Sequence, residues 1–251
     1  MNELSPRLEQ IFFEVFEALP RQGPGSRACA ERALASCSGL PLDPAVLDLG
    51  CGTGGQTLVL AELTGGTIVA IDSHAPSIER LRAAVAGRGL SERVHPRVGD
   101  IARADLESSS FDLIWSEGAL YNVGLEPALK VCHDLLRPGG FLVFTEPVWR
   151  DDDPAAEVRA MFADYPGMGN ATDAIRLIER CGLRLVSHFT LPDSAWWDDF
   201  YTPMRGQIEA LRRKYAGDPE AQAALDEIAR EPEMHEKHSS TYGYELFIAQ
   251  R

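Results

Sequence analysis

The residues best suited to chemistry form a glycine-rich loop. Residues 48–55 read Asp-Leu-Gly-Cys-Gly-Thr-Gly-Gly and directly follow a short apolar run. Glycines at such a point allow a sharp turn and let a ligand approach the main chain. Gly50, Gly52 and Gly54 give the spacing GxGxG, whereas Gly50, Gly52 and Gly55 satisfy GxGxxG. The two spacings are typical of different nucleotide cofactors, so the loop indicates a nucleotide and leaves its identity open.

Two aspartates that follow neighbouring apolar runs are candidates to bind a nucleoside. Asp72 ends the run 67–72, where a carboxylate can accept both hydroxyls of a ribose. Asp100 can accept a hydrogen bond from the exocyclic amine of adenine, with Ile101 packing near the ring. The alternatives are an acid that caps the next helix, for Asp72, and a turn aspartate, for Asp100.

Around these residues, short apolar strands alternate with amphipathic helices. We predict strands at 46–49, 67–72, 93–98, 112–115, 141–146, 183–190 and 242–249. We predict helices at 4–19, 26–36, 56–63, 76–86, 126–136, 154–164 and 172–181, with further helix within 196–232. This alternation favours an α/β fold with a parallel sheet covered on both faces.

Composition narrows the class of protein. The formal net charge of −14 over 251 residues argues against a nucleic acid as a partner, because phosphate backbones are repelled. The longest apolar runs are too short to span a membrane, and residues 1–7 do not resemble a secretory signal, so we expect a cytoplasmic protein. The five cysteines form no CxxC pair, and residues 235–238 miss the HExxH spacing. We therefore expect reduced thiols, a solvated helix end at 235–238 and no metal.

The order of five blocks resembles the class I S-adenosylmethionine-dependent methyltransferases over about residues 44–148. The blocks are the glycine loop, Asp72, Gly99-Asp100, Phe111-Asp112-Leu113-Ile114 and Leu135-Leu136-Arg137-Pro138-Gly139-Gly140. The last block is not expected of dehydrogenases. More narrowly, three segments are similar to a bacterial branch of small-molecule methyltransferases, at 21–26, 52–57 and 115–119.

The resemblance implies a Rossmann-like sheet of seven strands with helices on both faces and an antiparallel last strand. It implies N-terminal helices over 1–43, a main domain over 44–251, and a helical insertion at about 192–240 that covers the substrate site. The implied cofactor is S-adenosylmethionine. The expected cofactor-binding residues are Arg21, Asp48, Gly50, Gly52, Gly54, Gln56, Asp72, Ser73, Asp100, Ile101 and Ser116.

The acceptor side is expected just beyond the fourth strand. Glu117 and Tyr121 are the candidate catalytic residues, with Asn122 beside them. A general base is needed only where the acceptor must lose a proton. An aromatic lining over a cationic acceptor could be formed by Trp149, Trp196, Trp197 and Tyr201.

The resulting hypothesis is methyl transfer to a small-molecule acceptor by a monomer or homodimer, with no nucleic acid and no membrane involved. One alternative is a protein that binds S-adenosylmethionine or its product without catalysis. The other is a nicotinamide-dependent oxidoreductase. The Tyr-x-x-x-Lys dyad of short-chain dehydrogenases is missing, because the residues four before the lysines are Glu126, Ala210 and Glu233.

Overall fold

A seven-stranded sheet forms the centre of the computed structural model, which describes residues 5–103 and 106–251. The strands are β1 Ala45–Leu49, β2 Thr67–Asp72, β3 Val94–Val98, β4 Phe111–Ser116, β5 Leu136–Trp149, β6 Arg184–Thr190 and β7 Tyr242–Gln250. Their order is β3-β2-β1-β4-β5-β7-β6, and β7 runs antiparallel to both of its neighbours. The sheet confirms the predicted topology, including the antiparallel last strand.

The helices follow the predicted alternation. They are α1 Pro6–Phe16, α2 Arg27–Ala35, α3 Gly55–Leu63, α4 Ala75–Gly87, α5 Leu125–Leu135, α6 Ala156–Met161, α7 Ala171–Arg180, α8 Ser194–Trp196, α9 Thr202–Lys214 and α10 Pro219–His238. A wide π-type turn, Trp197–Tyr201, joins α8 to α9. Short 3₁₀ turns lie at Ile101–Arg103 and Leu120–Val123.

Two apolar layers sandwich the sheet, because its central strands are buried on both faces. Val46 and Trp115 point into the layer that α1 to α4, α9 and α10 cover. Leu47 and Ile114, their neighbours in sequence, point into the layer beneath α5 and α7. Successive strand residues face opposite sides, so helices on both faces are required and are observed.

The first helix is shorter than predicted. The Ser5 side chain caps α1 by accepting a hydrogen bond from the Leu8 amide at 3.2 Å. The helix ends at Phe16 rather than at residue 19, since the residue before Pro20 is disfavoured in helical conformation. Leu4, which the prediction included, and the rest of residues 1–4 lie outside the described residues.

Two further predictions need correction. Strand β5 extends beyond 141–146 because β7 pairs with it continuously from Phe141 to Trp149. The insertion helix runs on to His238, and His235 is not a solvated helix end. His235 is 2% exposed and stacks on Trp196 at 4.1 Å between ring centroids. Its place on the buried stripe of α10 removes it from solvent.

Within the described ranges, no group of three or more His, Cys, Asp and Glu side chains is placed to hold a metal ion. None of the helices in these ranges has the length and apolar character needed to cross a membrane.

Candidate active site

A cavity of about 730 Å³ opens at the carboxyl ends of β1, β2 and β4. Parallel strands present their loops at this edge, which is where open α/β sheets bind ligands. Eleven of the thirteen residues predicted for the site line the cavity: Arg21, Asp48, Gly50, Gly52, Gln56, Asp72, Ser73, Asp100, Ile101, Glu117 and Tyr121.

The glycine loop is fastened to β2 by its own backbone. The amides of Gly50 and Cys51 both donate to the Ile71 carbonyl, at 2.8 and 3.0 Å. Gly50 has a φ of 73°, and a Cβ there would lie 2.3 Å from the Cβ of Ala119. Only glycine fits this position without strain, and its bare main chain faces the cavity.

Asp72 occupies the tip of β2 beside the loop. Its Oδ2 accepts from the Gly52 amide at 2.9 Å, and its Oδ1 accepts from the His74 amide at 2.8 Å. The side chain therefore caps the segment before α4, which was the structural alternative, and also lines the cavity. Because a carboxylate has about four acceptor sites, two backbone donors leave capacity for a ligand.

Asp48 lies beneath the loop and is 2% exposed. Thr57 donates its hydroxyl to Asp48 Oδ2 at 2.6 Å, which ties the end of β1 to the first turn of α3. Burial raises the pKa of Asp48 to about 7, and the nearby Glu117 and Asp72 carboxylates add to this rise. The Thr57 hydrogen bond and Arg21 oppose it.

Arg21 and Glu117, predicted for opposite ends of the reaction, form an ion pair with each other. Each side chain is 8% exposed. Arg21 Nη1 also donates to Gln56 Oε1 at 3.0 Å, and Trp115 Nε1 donates to Glu117 Oε1 at 2.8 Å. Both oxygens of Glu117 are therefore engaged, which makes it a group that positions Arg21 rather than a free base.

The same cluster leaves two buried donors. Arg21 Nε and Gln56 Nε2 have no hydrogen-bond partner within the described part of the chain. Unpaired buried donors are costly, so two that lie together at a cavity indicate a missing acceptor there.

Two predicted site residues do not line the cavity. Gly54 caps α3 with a φ of 90°, and a Cβ there would lie 2.1 Å from Leu81 on α4. Ser116 is fully buried and donates its hydroxyl to the Leu49 carbonyl at 2.8 Å, linking β4 to β1. Both serve the geometry of the sheet edge.

Asp100 and Ile101 lie at the rim of the cavity. The Ala102 amide donates to Asp100 Oδ1 at 2.9 Å, so Asp100 also fills the turn role that was its alternative. Asp100 is exposed and Ile101 is half-buried. The second oxygen of Asp100 stays accessible to a ligand.

The far part of the cavity, called here the aromatic end, is lined by Tyr121, Trp196, Phe200, Glu231 and Tyr244. Tyr244 donates its hydroxyl to that of Tyr121 at 3.3 Å, and its ring lies 5.0 Å from that of Trp196. Burial raises the pKa of both tyrosines.

The predicted aromatic lining is correct only for Trp196. Trp149 packs edge-on against Phe162, with ring centroids 5.3 Å apart. The Arg205 guanidinium lies over the Trp197 ring at 4.7 Å. Tyr201 is buried and donates its hydroxyl to Glu231 Oε1 at 3.0 Å. None of these three side chains lines the cavity.

Several lining residues were missed by the sequence analysis. Gln22 Oε1 accepts from the Thr53 amide at 2.8 Å, and His74 stacks on Phe13 at 3.7 Å. The signal for Glu231 was its spacing, three residues after Ile228 and four before His235, which places an acid on the buried stripe of α10.

Comparison with known proteins shows a likeness to methyltransferases. Residues 46–140 match the family model described as a methyltransferase domain. A sterol 24-C-methyltransferase of Schizosaccharomyces pombe is 27% identical over 192 residues, which are 71% of this chain and 50% of that protein. A sarcosine/dimethylglycine N-methyltransferase of Halorhodospira halochloris is 31% identical over 137 residues, 53% of this chain and 48% of that protein. The chain thus spans about half the length of these curated relatives.

The fold recurs in solved structures. A methyltransferase from Geobacter sulfurreducens, solved with S-adenosyl-L-homocysteine, superposes with a TM-score of 0.82 and 20% identity. The match covers 96% of this chain and 98% of that one. At this identity the likeness establishes the fold, and the helical insertion is part of what is shared.

Proposed function

We propose that the chain is a class I S-adenosylmethionine-dependent methyltransferase that transfers a methyl group from S-adenosylmethionine to a small molecule; the matched methyltransferase domain, the curated relatives and the shared fold support this. One observation carries the proposal. Positive-φ glycines and the Asp72 carboxylate meet in one cavity, whose 730 Å³ suits a nucleoside cofactor with a small second molecule.

The residues present fit the cofactor. Asp72 would hold the ribose, and Asp100 with Ile101 would hold the adenine. Gly50 and Gly52 would let the amino-acid part approach the main chain. The unpaired donors Arg21 Nε and Gln56 Nε2 suit its carboxylate, since charge-assisted hydrogen bonds are the strong ones.

The protein's own task is positioning. When bound, the cofactor supplies a methyl group on a sulfonium, whose leaving group is a neutral thioether. The chain must orient the acceptor and keep water out. Glu117 contributes by holding Arg21, and Tyr121 lines the aromatic end of the cavity. A general base is required only where the methyl acceptor must lose a proton.

The setting that goes with this proposal is a cytoplasmic monomer or homodimer. The N-terminal helices of 1–43 and the insertion at 192–240 would cover the cavity from two sides. Phe12 and Phe16 of α1, with Trp196 and Phe200 of the insertion, support this. The net charge of −14 argues against a nucleic-acid acceptor. Membership of the narrower bacterial branch stays a prediction.

Turnover tests the proposal. The protein would be incubated with S-adenosylmethionine and, in turn, mixed amines, thiols and phenols, with S-adenosylhomocysteine measured by mass spectrometry. We expect more than one equivalent of S-adenosylhomocysteine per protein, together with a methylated acceptor. Bound S-adenosylmethionine that no class of acceptor converts would contradict catalysis and favour a binding protein.

A further inference from the structure

The charge of the cavity limits what can enter it. Among the described lining residues, five carry carboxyl groups and one is an arginine: Asp48, Asp72, Asp100, Glu117, Glu231 and Arg21. Arg21 is already paired with Glu117, and the lining histidine His74 lies 2.9 Å from Glu17. The cavity therefore has an excess of negative charge, which disfavours an anionic acceptor and attracts a cation.

Glu231 is the carboxyl group of the aromatic end. Each of the other four carboxyl groups accepts at least one hydrogen bond: Asp48 from Thr57, Asp72 from two backbone amides, Asp100 from the Ala102 amide, and Glu117 from Arg21 and Trp115. Asp48 and Asp100 also keep one oxygen without a hydrogen bond within the described part of the chain, but at the glycine-loop end. Glu231 accepts from the Tyr201 hydroxyl through Oε1. Within the part of the chain that the structure describes, its Oε2 receives no hydrogen bond and Glu231 lines the cavity. This oxygen is available to a ligand.

The surroundings of Glu231 suit an organic cation. Tyr121, Trp196, Phe200 and Tyr244 line the same end, and aromatic faces attract ammonium groups electrostatically. Burial raises the pKa of the Glu231 carboxyl, and the Tyr201 hydrogen bond opposes this rise. A carboxylate and an aromatic wall together recognise a protonated amine better than they recognise a phenol or an acid.

We propose that the methyl acceptor is an amine and that Glu231 binds its ammonium group and accepts its proton. This rests on the proposed methyltransferase function. The ammonium proton passes to Glu231 Oε2, which frees the nitrogen lone pair. The nitrogen then bonds to the methyl carbon as the carbon–sulfur bond breaks, and that electron pair stays on sulfur. The product is the ammonium ion with one more methyl group.

Calorimetry on protein saturated with S-adenosylhomocysteine tests the assignment. The probes are benzylamine, benzyl alcohol and benzoate, followed by butylamine, butanol and butyrate. The variants are Glu231→Gln, which can still accept from Tyr201, and the control Glu233→Gln, an exposed position on the same helix. We expect the amines to bind most tightly. Glu231→Gln should weaken amine binding about 10- to 150-fold and leave alcohol binding within about twofold. The control Glu233→Gln should bind both amines and alcohols as the wild type does.

The pH dependence of amine affinity shows whether Glu231 binds the amine directly or only stabilises the surrounding structure. In the wild type, amine affinity should fall as the pH drops and Glu231 is protonated, whereas in Glu231→Gln the fall should be smaller, because only the other carboxyl groups of the cavity still titrate. The amine assignment is overturned if acids or alcohols bind as tightly as amines, if no amine binds, or if Glu231→Gln binds amines normally. In those cases S-adenosylhomocysteine binding still supports the cofactor proposal. Loss of S-adenosylhomocysteine binding in the wild type would overturn both.

Discussion

The two ends of the cavity are built in different ways. The glycine-loop end comes from three consecutive strand tips, at 48–55, 72–74 and 99–101, and backbone amides satisfy most of its polar groups. The aromatic end gathers side chains from the 3₁₀ turn after β4, the insertion and β7, and its Tyr121–Tyr244 contact joins residues 123 apart in sequence. The fold itself therefore sets the first end, whereas packing particular to this chain sets the second.

The largest predicted effect concerns the buried Arg21–Glu117 ion pair, which lines the cavity. Glu117→Ala should cost about 3–5 kcal/mol of unfolding free energy, because Arg21 is left charged and buried. Removing both charges, with Arg21→Met and Glu117→Met, should cost less than Glu117→Ala alone. Urea unfolding measures both, with Glu233→Ala as the exposed control. A loss below about 1 kcal/mol for Glu117→Ala would show that the pair is solvated.

A buried carboxyl group lies behind each end of the cavity, and the next prediction concerns the one behind the aromatic end. Asp48 lies behind the glycine loop, and Glu146, 2% exposed and bound by the Tyr165 hydroxyl, lies behind the aromatic end. Burial raises the pKa of Glu146 to about 8, above its ordinary value of 4.5. The stability that its bound proton contributes is complete below the unfolded value and is lost as the pH rises through about 8.

Glu146→Gln should remove this loss. Relative to the wild type, the variant should gain about 1.4 kcal/mol of unfolding free energy for each pH unit between these two values. Urea unfolding at a series of pH values measures the difference. A constant difference would mean that Glu146 titrates in the folded protein as it does in the unfolded chain.

Asp72→Ala should act at the glycine-loop end alone. It should weaken S-adenosylhomocysteine binding about 10- to 150-fold, because it removes a charge-assisted acceptor. Asp198→Ala, an exposed acid in the insertion, is the matched control and should bind normally. Calorimetry reads both variants, and circular dichroism checks the fold. Normal affinity in folded Asp72→Ala would rule out the ribose assignment.

The smallest effect tests a residue that the structure removes from the cavity. Ser116→Ala should cost about 0.5–1.5 kcal/mol of stability through the lost hydrogen bond to Leu49. It should leave S-adenosylhomocysteine affinity within about twofold. A large loss of affinity with little loss of stability would indicate that Ser116 contacts the cofactor.

The same contrast explains what could be predicted from the sequence. The strand order and most of the glycine-loop end follow local rules, because positive φ at Gly50 and a carboxylate at a strand tip leave contiguous signals. Ser116 and Gly54 do not line the cavity, which the strand-edge motifs did not indicate: the Ser116 hydroxyl donates to the Leu49 carbonyl, and Gly54 lies against Leu81.

The aromatic end depended on tertiary packing. From the sequence, Arg21 was predicted to bind the cofactor and Glu117 to act on the acceptor side. Nothing local indicates that these residues, 96 apart, form an ion pair. Trp149 and Trp197 were predicted to line the cavity because aromatic rings attract cations. In the structure Trp149 packs against Phe162, and Trp197 packs against Arg205. Glu231 was not predicted, although its spacing from Ile228 and His235 places it on the buried face of α10.

Calorimetric titration of the wild-type protein with S-adenosylhomocysteine, and in parallel with NADH, tests the central claim most directly. The account predicts that S-adenosylhomocysteine binds and that NADH does not, because the cavity and its unpaired donors suit a nucleoside that carries an amino acid. Binding of NADH without binding of S-adenosylhomocysteine would contradict the methyltransferase account and restore the oxidoreductase alternative.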